Sequence, residues 1–413
     1  MGKYYTQAAA LLRNEDLIAE PYPFFSPMKK LNIGIVSSWW NRGQSTVSRY
    51  LRSVFDSLGH HTFVLARPTS DTDDLPNFIS TADVWNQQDV TRASRFFIPL
   101  EEYLPWVEKN AIQIIFFDEN NEYGKIKYLR SQGIKTIGRF VWEGFGEKHA
   151  KGLKMILRTG DMKAFYRYVQ ECFTNKDVIG AKEAFDVVYS LTRCEQARYK
   201  DFGIDSPWIQ WGCHPELLAV KPQKREDAIY FFFPGGFQGA RKPLRKTVEA
   251  FMKVKNPDIR LIIKAQGTRT TTENIDDFSD TRLIKMVKDL PAKEYYDLFS
   301  SCHVCLAPSR WEGLGQHFYE AISFGLPTIT NNIPPHNEVI EDGKNGLLVK
   351  SVKIGYKQSG IPIYDPDADD LARAIKELSD INKIKELSSN TIQMQKKYSW
   401  NTTTEQIKKT FGL

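Results

Sequence analysis

Along this chain, short and almost unbroken apolar runs recur, separated by longer stretches in which apolar residues return on a helical period. The runs are Leu31-Asn32-Ile33-Gly34-Ile35-Val36, His61 to Ala66, Ile112 to Phe117, Ile134 to Phe140 and Asp186 to Ser190. A second series follows with Ile229 to Phe233, Ile259 to Lys264, Arg282 to Val287, the run before Pro308, and Thr328-Ile329-Thr330. Runs of this length bounded by turn residues predict strands covered on both faces, as in a parallel sheet. The helical stretches include about Thr46 to Leu58, a segment through Leu244, Val248 and Phe251, then Lys293 to Ser300, Gln316 to Ser323, Leu371 to Leu378, and the tail to Phe411. Strand, turn and helix repeated in two series predict an α/β chain with two Rossmann-like halves. Residues 1–30 read as a short helix and a loop stopped by Pro21, Pro23 and Pro27. The polar stretch Lys221 to Asp227 reads as the linker between the halves.

Composition narrows the class. A chain of 413 residues with 41% hydrophobic and 13% aromatic residues can build two cores of ordinary size. With 56 Lys+Arg against 50 Asp+Glu, the net charge of +6 suits anionic small molecules or an anionic surface and gives little support to nucleic acid as a partner. Five cysteines, an odd number, fit reduced thiols and a cytoplasmic location. The pair in Cys302-His303-Val304-Cys305 lies in an apolar run without a second ligand pair nearby, so buried thiols are expected there and no metal. No window of about 18 uncharged apolar residues predicts a membrane span. Met1-Gly2 followed by Thr6 matches only a minimal myristoylation pattern.

The candidate chemistry concentrates in residues 306–349. Glu312-Gly313-Leu314-Gly315 forms a turn whose glycines permit close backbone approach, and Gln316 to Ser323 follows as a helix stopped by Gly325 and Pro327. The free amides at that helix start make an anion site. Glu312 and Glu320, with seven residues between them, can stand at different depths along one ligand. A molecule with phosphate in its middle and hydroxyls at both ends suits that spacing; a nucleotide-sugar is one. In the second half, Gly235, Gly236 and Gly239 beside Arg241 and Lys242 form a diphosphate cradle in which the cations offset charge on a leaving group.

The pattern E-G-L-G-Q-x-x-x-E-A, then G-x-P-x-[IV]-x, then E-x-I-x-D-G-x-N-G-L-L-V resembles the donor-binding signature of the retaining glycosyltransferases of family 4. The resemblance implies the GT-B fold: two Rossmann-like domains facing across a cleft, here residues 1–217 on the acceptor side and 218–395 on the nucleotide-sugar side, with 396–413 as a helix returning to the first. It implies that Glu312 and the amides of Gly313, Leu314 and Gly315 hold the donor sugar and diphosphate, that Glu320 holds the ribose, that Gly236 lets the backbone approach the donor, and that Arg241 and Lys242 do the work of a metal ion. The turn Arg42-Gly43-Gln44-Ser45 takes the place of the first-domain glycine turn across the cleft. Where the family often carries a histidine after the fourth strand that touches the donor sugar, this chain has Trp142-Glu143, and the resemblance implies Glu143 as the substitute in that catalytic contact. Trp211 and His214 depart from the family's N-G-V-D at the end of the first domain.

The implied activity is metal-independent, cofactor-free retaining transfer of a sugar from a nucleoside diphosphate sugar to a hydroxyl acceptor, a glycan, a lipid-linked sugar or a small molecule. Three rivals stand beside it: a sugar-phosphate or sucrose-type enzyme, a non-catalytic nucleotide-sugar-binding or scaffold protein of the same fold, and a nucleic-acid-modifying glycosyltransferase. Asp71-Thr72-Asp73 fits D-x-D, a metal-diphosphate signature of the other main transferase fold, but it sits in a polar loop between Pro68 and Pro76. The basic amphipathic stretch within 147–170 is either a peripheral contact with the inner membrane face or a surface helix packed on its own domain.

Overall fold

The computed structural model describes residues 30–39, 43–68, 87–146, 176–236, 239–266, 277–357 and 359–413. The expected helix and loop before residue 30, residues 40–42 of the first turn, Asp71-Thr72-Asp73 and the basic stretch 147–170 lie outside the described residues.

Two six-stranded parallel sheets organise the chain. The first contains β1 (Asn32–Ser38), β2 (His61–Arg67), β3 (Val90–Arg92), β4 (Ile114–Asp118), β5 (Lys135–Arg139) and β6 (Val187–Val188), in the order β3-β2-β1-β4-β5-β6. The second contains β7 (Ile229–Gly236), β8 (Ile259–Ala265), β9 (Leu283–Val287), β10 (Val304–Leu306), β11 (Thr328–Asn331) and β12 (Gly346–Val349), in the order β12-β11-β10-β7-β8-β9. Counted from its own first strand, each sheet has the doubly wound order 3-2-1-4-5-6, with its topological switch between the first and fourth strands. The expected α/β class with two Rossmann-like halves is what the chain adopts.

Burial on both faces explains the apolar runs. In β7, Phe231 and Phe233 pack with Leu244, Val248 and Phe251 of the helix Leu244–Lys253. Phe232 faces the other way and stacks on Phe299, ring centroids 4.2 Å apart. In the first sheet, Ile33 and Ile35 pack with Val47, Leu51, Val54 and Phe55 of the helix Gly43–Ser57, whereas Val36, Ile115 and Phe117 face Tyr103 and Trp106 of the helix Leu100–Lys109.

Several boundaries differ from expectation for local reasons. The helix expected from Leu371 begins at Ala368, because the Asp367 side chain accepts from the amides of Asp369 and Asp370 and starts it a turn earlier. The run Asp186 to Ser190 forms only the two-residue β6, since Asp186 turns its carboxylate back to the Thr136 amide at 2.8 Å. An antiparallel hairpin of β13 (Ser351–Tyr356) and β14 (Pro362–Pro366) was not expected at all.

The tail helix Trp400–Phe411 lies against the first half's core. Phe411 meets Phe116 and Tyr189 edge-on, with centroids at 4.9 and 5.3 Å, and Lys135 Nζ donates to the Phe411 carbonyl at 2.7 Å. Trp400 packs at right angles on Trp211. Among the described residues, no helix is long and apolar enough to cross a membrane.

Candidate functional site

The carboxyl edges of both sheets face one cleft of about 690 Å³. In open parallel sheets this is where ligands bind, because the helix N-termini and loops converge there. The cleft brings together Gly43, Glu143, Gly236, Arg241, Lys242, Glu312, Gly313, Leu314, Gly315 and Glu320, whereas Gly235 and Gly239 of the expected cradle are not among its lining residues.

Glu312 stands at its centre. Its carboxylate accepts from Lys242 Nζ at 2.7 Å and from Arg241 Nη1 at 3.1 Å, and His317 Nε2 is 3.9 Å away. Burial opposes the charge, but Arg241 and Lys242 outweigh it and hold the carboxyl well below the usual carboxylate range. The two cations differ. The Lys242 side chain is 5% exposed and also donates to Ser309 Oγ at 2.8 Å. The Arg241 side chain is 38% exposed, so it retains donors for a ligand in the cleft. Burial lowers the pKa of Lys242 against the pull of Glu312, whereas Glu312 raises that of Arg241. Arg241 Nη1 lies 3.7 Å from Glu143 Oε1, so Arg241 joins acids from both halves.

The turn after Glu312 uses its glycines in two ways. At Gly313 a Cβ would come within 2.5 Å of Val141 Cγ1, so the missing side chain admits the first half's loop as well as any ligand. Gly315 sits at φ 73° and starts the helix Gln316–Ser323, whose N-terminus no side chain caps. That end points its amides and the positive end of its dipole into the cleft. Gln316 Nε2 crosses to the Gly43 carbonyl at 2.5 Å. Deeper in, Tyr295 donates to Glu320 at 3.3 Å, and burial pushes the Glu320 carboxyl up to about 7. Gly236 ends β7 at φ 54° with open space where a Cβ would stand.

The structure adds contacts that the sequence reading did not reach. Trp142 Nε1 donates to the Glu312 carbonyl at 2.7 Å, and Trp142, Trp311 and Ile361 form a small apolar cluster joining the halves beside the site. The tip of the β13–β14 hairpin reaches the same place, where Ser359 Oγ donates to the Glu143 carbonyl at 2.8 Å. Glu338 accepts from the amides of Arg193 and Cys194 at 2.7 and 2.8 Å and so caps a first-half helix from the second half. Lys264 lines the cleft with its ammonium on the Ala265 and Lys288 carbonyls, and burial pushes it down to about 8. Glu119, Arg139 and Tyr50 line the first-half wall. Cys302 and Cys305 are buried, and burial pushes the Cys302 thiol up to about 12.

Comparison with known proteins accords with this geometry. Residues 216–397 match the family model described as Glycosyl transferases group 1. Among curated proteins, a D-inositol 3-phosphate glycosyltransferase of Paenarthrobacter aurescens (strain TC1) is 28% identical over 140 residues, 32% of this chain and 33% of the relative. The spore coat protein SA of Bacillus subtilis (strain 168) is 41% identical over 63 residues, 15% of each chain. The curated relatives are matched over at most 36% of their own length. Solved structures align over nearly the whole chain. A sucrose-phosphate synthase from Thermosynechococcus elongatus gives a TM-score of 0.65 at 17% identity, covering 92% of this chain and 98% of that one. Anabaena HepE, solved in complex with UDP-glucose, gives 0.62 at 14% identity, covering 92% and 99%. At such identities the likeness establishes the fold, which is GT-B.

Proposed function

We propose, from the match of residues 216–397 to the group 1 glycosyltransferase model, that the protein transfers a sugar from a nucleoside diphosphate sugar to a hydroxyl acceptor, with retention at the anomeric carbon and without a metal ion. The observation that carries this reading is Glu312, held by Arg241 and Lys242 at the mouth of an uncapped helix, with the first half's loop 141–143 against it. Glu312 and the amides of the turn take the donor sugar. The helix start and the free face of Arg241 take the diphosphate, and Glu320 takes the ribose hydroxyls. As the bond from the anomeric carbon to the diphosphate oxygen breaks, charge grows on the leaving group, and the fixed cations and helix dipole are already aimed there. The bond to the acceptor oxygen forms on the same face, and the acceptor proton passes to the departing diphosphate.

The test is a panel of uridine, guanosine and adenosine diphosphate sugars, read by thermal shift and by release of the diphosphate. At least one should bind and turn over, and the anomeric configuration of the product should match the donor. An inverted product would remove the retaining mechanism, and a panel without any binder would remove the donor reading. Turnover should also survive excess EDTA, because Arg241 and Lys242 supply the positive charge. Loss in EDTA restored by manganese would show that they do not suffice.

Glu320 gives a sharper test. Replacing it with Ala removes a charged acceptor for the ribose, worth about 1.5–3 kcal/mol, so donor affinity should fall by roughly 10- to 150-fold. The carboxyl at about 7 adds a pH signature. Its folded pKa is raised, so the unliganded protein loses stability as pH rises from the usual glutamate range towards 7. Donor hydroxyls favour the ionised form, so affinity should strengthen over the same rise, by up to about tenfold per pH unit. Calorimetry across this range should show the slope below pH 7 and a plateau above it in the native protein, and a flatter profile in Glu320→Gln. Parallel slopes would assign the titration elsewhere.

A further inference from the structure

On the first-half wall of the cleft, Glu119 has no part in the donor chemistry above. It follows β4 at the carboxyl edge with φ 49°, a left-handed backbone that a residue with a side chain adopts only where its surroundings enforce it. The enforcement is double: its amide donates to the Arg139 carbonyl at 2.8 Å, and Arg67 Nη1 donates to its own carbonyl at 3.0 Å. Arg67 is itself buried and lies over the Phe96 ring. This conformation delivers the Glu119 side chain to the cleft beside Glu143 and Arg241. Glu143, from the loop after the neighbouring strand β5, has a buried Oε2 with no hydrogen-bond partner among the described residues.

Two carboxyl groups from adjacent strand ends therefore line one wall, separated from Glu312 by Arg241. Burial, with Asp118 and Glu143 close by, pushes the Glu119 carboxyl up to about 7. Glu312 and Glu320 already serve the donor's hydroxyls from the second half, so a second pair of acids on the first-half wall suits the other substrate, Glu143 included although the resemblance would put it on the donor sugar. Carboxylates bind sugar hydroxyls through charge-assisted hydrogen bonds and repel phosphates and carboxylates.

We propose that Glu119 and Glu143 form the acceptor subsite, and that it takes the neutral hydroxyls of a saccharide and not a phosphate- or carboxylate-bearing acceptor. This rests on the sugar-transfer reading. The strained backbone at Glu119 is then the cost of aiming that side chain.

The experiment uses the full chain loaded with whichever nucleoside diphosphate binds in the panel above. Neutral hexoses and N-acetylhexosamines are compared with hexose 6-phosphates and hexuronic acids by saturation-transfer NMR titration. At least one neutral sugar should bind, and the anionic ones more weakly. Glu119→Gln should weaken that sugar by roughly tenfold or more, the loss expected for a charge-assisted hydrogen bond. It should leave nucleoside diphosphate affinity equal or tighter, because an acid near an anion has gone. Glu119→Gly separates function from folding: it relieves the left-handed strain, so the melting temperature should hold or rise while sugar binding still falls. Failure of every neutral sugar to bind the loaded protein, preference for the anionic sugars, or a Glu119→Gly protein that melts lower and loses both ligands together would overturn the subsite. Failure of every nucleoside diphosphate to bind would instead strike the donor reading beneath it.

Discussion

Arg241→Gln should lower turnover by about two orders of magnitude or more while weakening donor binding by only about tenfold. The asymmetry follows from when the charge appears. In the bound donor the diphosphate is already anionic, and Arg241 is one of several groups holding it. In the transition state the leaving oxygen gains further charge, and a cation held in place before the reaction acts most strongly at that moment. Arg241 is the better of the two basic residues for this test. It is partly exposed to the cleft, and Glu312 keeps Lys242 as a partner when Arg241 is replaced, so the fold should be little disturbed. The comparison needs the donor dissociation constant and the turnover rate of the same variant, with slow donor hydrolysis serving if no acceptor is at hand. Equal losses would mean that Arg241 holds the ground state and transition state alike, and would weaken its catalytic assignment.

The second large effect belongs to the Lys242–Glu312 pair. Both side chains are about 5% exposed or less and share a 2.7 Å hydrogen bond. Glu312→Ala leaves the Lys242 ammonium buried with only Ser309 as a strong partner, and breaking such a pair costs about 3–5 kcal/mol. Lys242→Met in the same chain removes the stranded charge, so the double variant should recover much of that stability. Donor turnover should recover in neither. A denaturant-unfolding cycle over the two single variants and the double variant measures the coupling. Additive losses would mean that the ammonium finds water or another acceptor when Glu312 is gone. Restored turnover in the double variant would remove Glu312 and Lys242 from the chemistry.

The second half was far more legible than the first, and the reasons are physical. Ile229 to Phe233 announces a strand because both of its faces are covered, and Gly315 and Gly325 bracket the helix Gln316–Ser323 with local signals that need no knowledge of the rest. The paired acids Glu312 and Glu320 belong to one short segment, so their relation is written in the spacing. The first-half wall is assembled from residues far apart in sequence: Tyr50 on one helix, Glu119 after β4, Arg139 ending β5 and Glu143 in the loop beyond. Nothing local distinguishes Glu119 from an ordinary acid at a strand end; its left-handed backbone shows only in three dimensions. The β13–β14 hairpin escaped for another reason. Val352, Ile354 and Tyr356 do alternate on a strand period, but all three are exposed and a register shift between Lys353 and Gly355 breaks the pairing, so the apolar face meets no core. Trp142 was noted for replacing a histidine, but its hydrogen bond to the Glu312 carbonyl joins residues 170 positions apart and leaves no trace in either segment.

The helix Trp400–Phe411 gives the chain an order of assembly that differs from its order of synthesis. Phe411 completes the core against Phe116 and Tyr189 of the first sheet, and Trp400 closes over Trp211. A ribosome that has just made β6 has therefore released a sheet whose final packing partner begins only at Trp400. The second half, with β7 to β12 contiguous in sequence, has no such wait for its sheet. A premature stop just before Trp400 would thus damage the earlier-made half more than the later one, leaving Phe116, Tyr189 and Trp211 uncovered on a nascent protein.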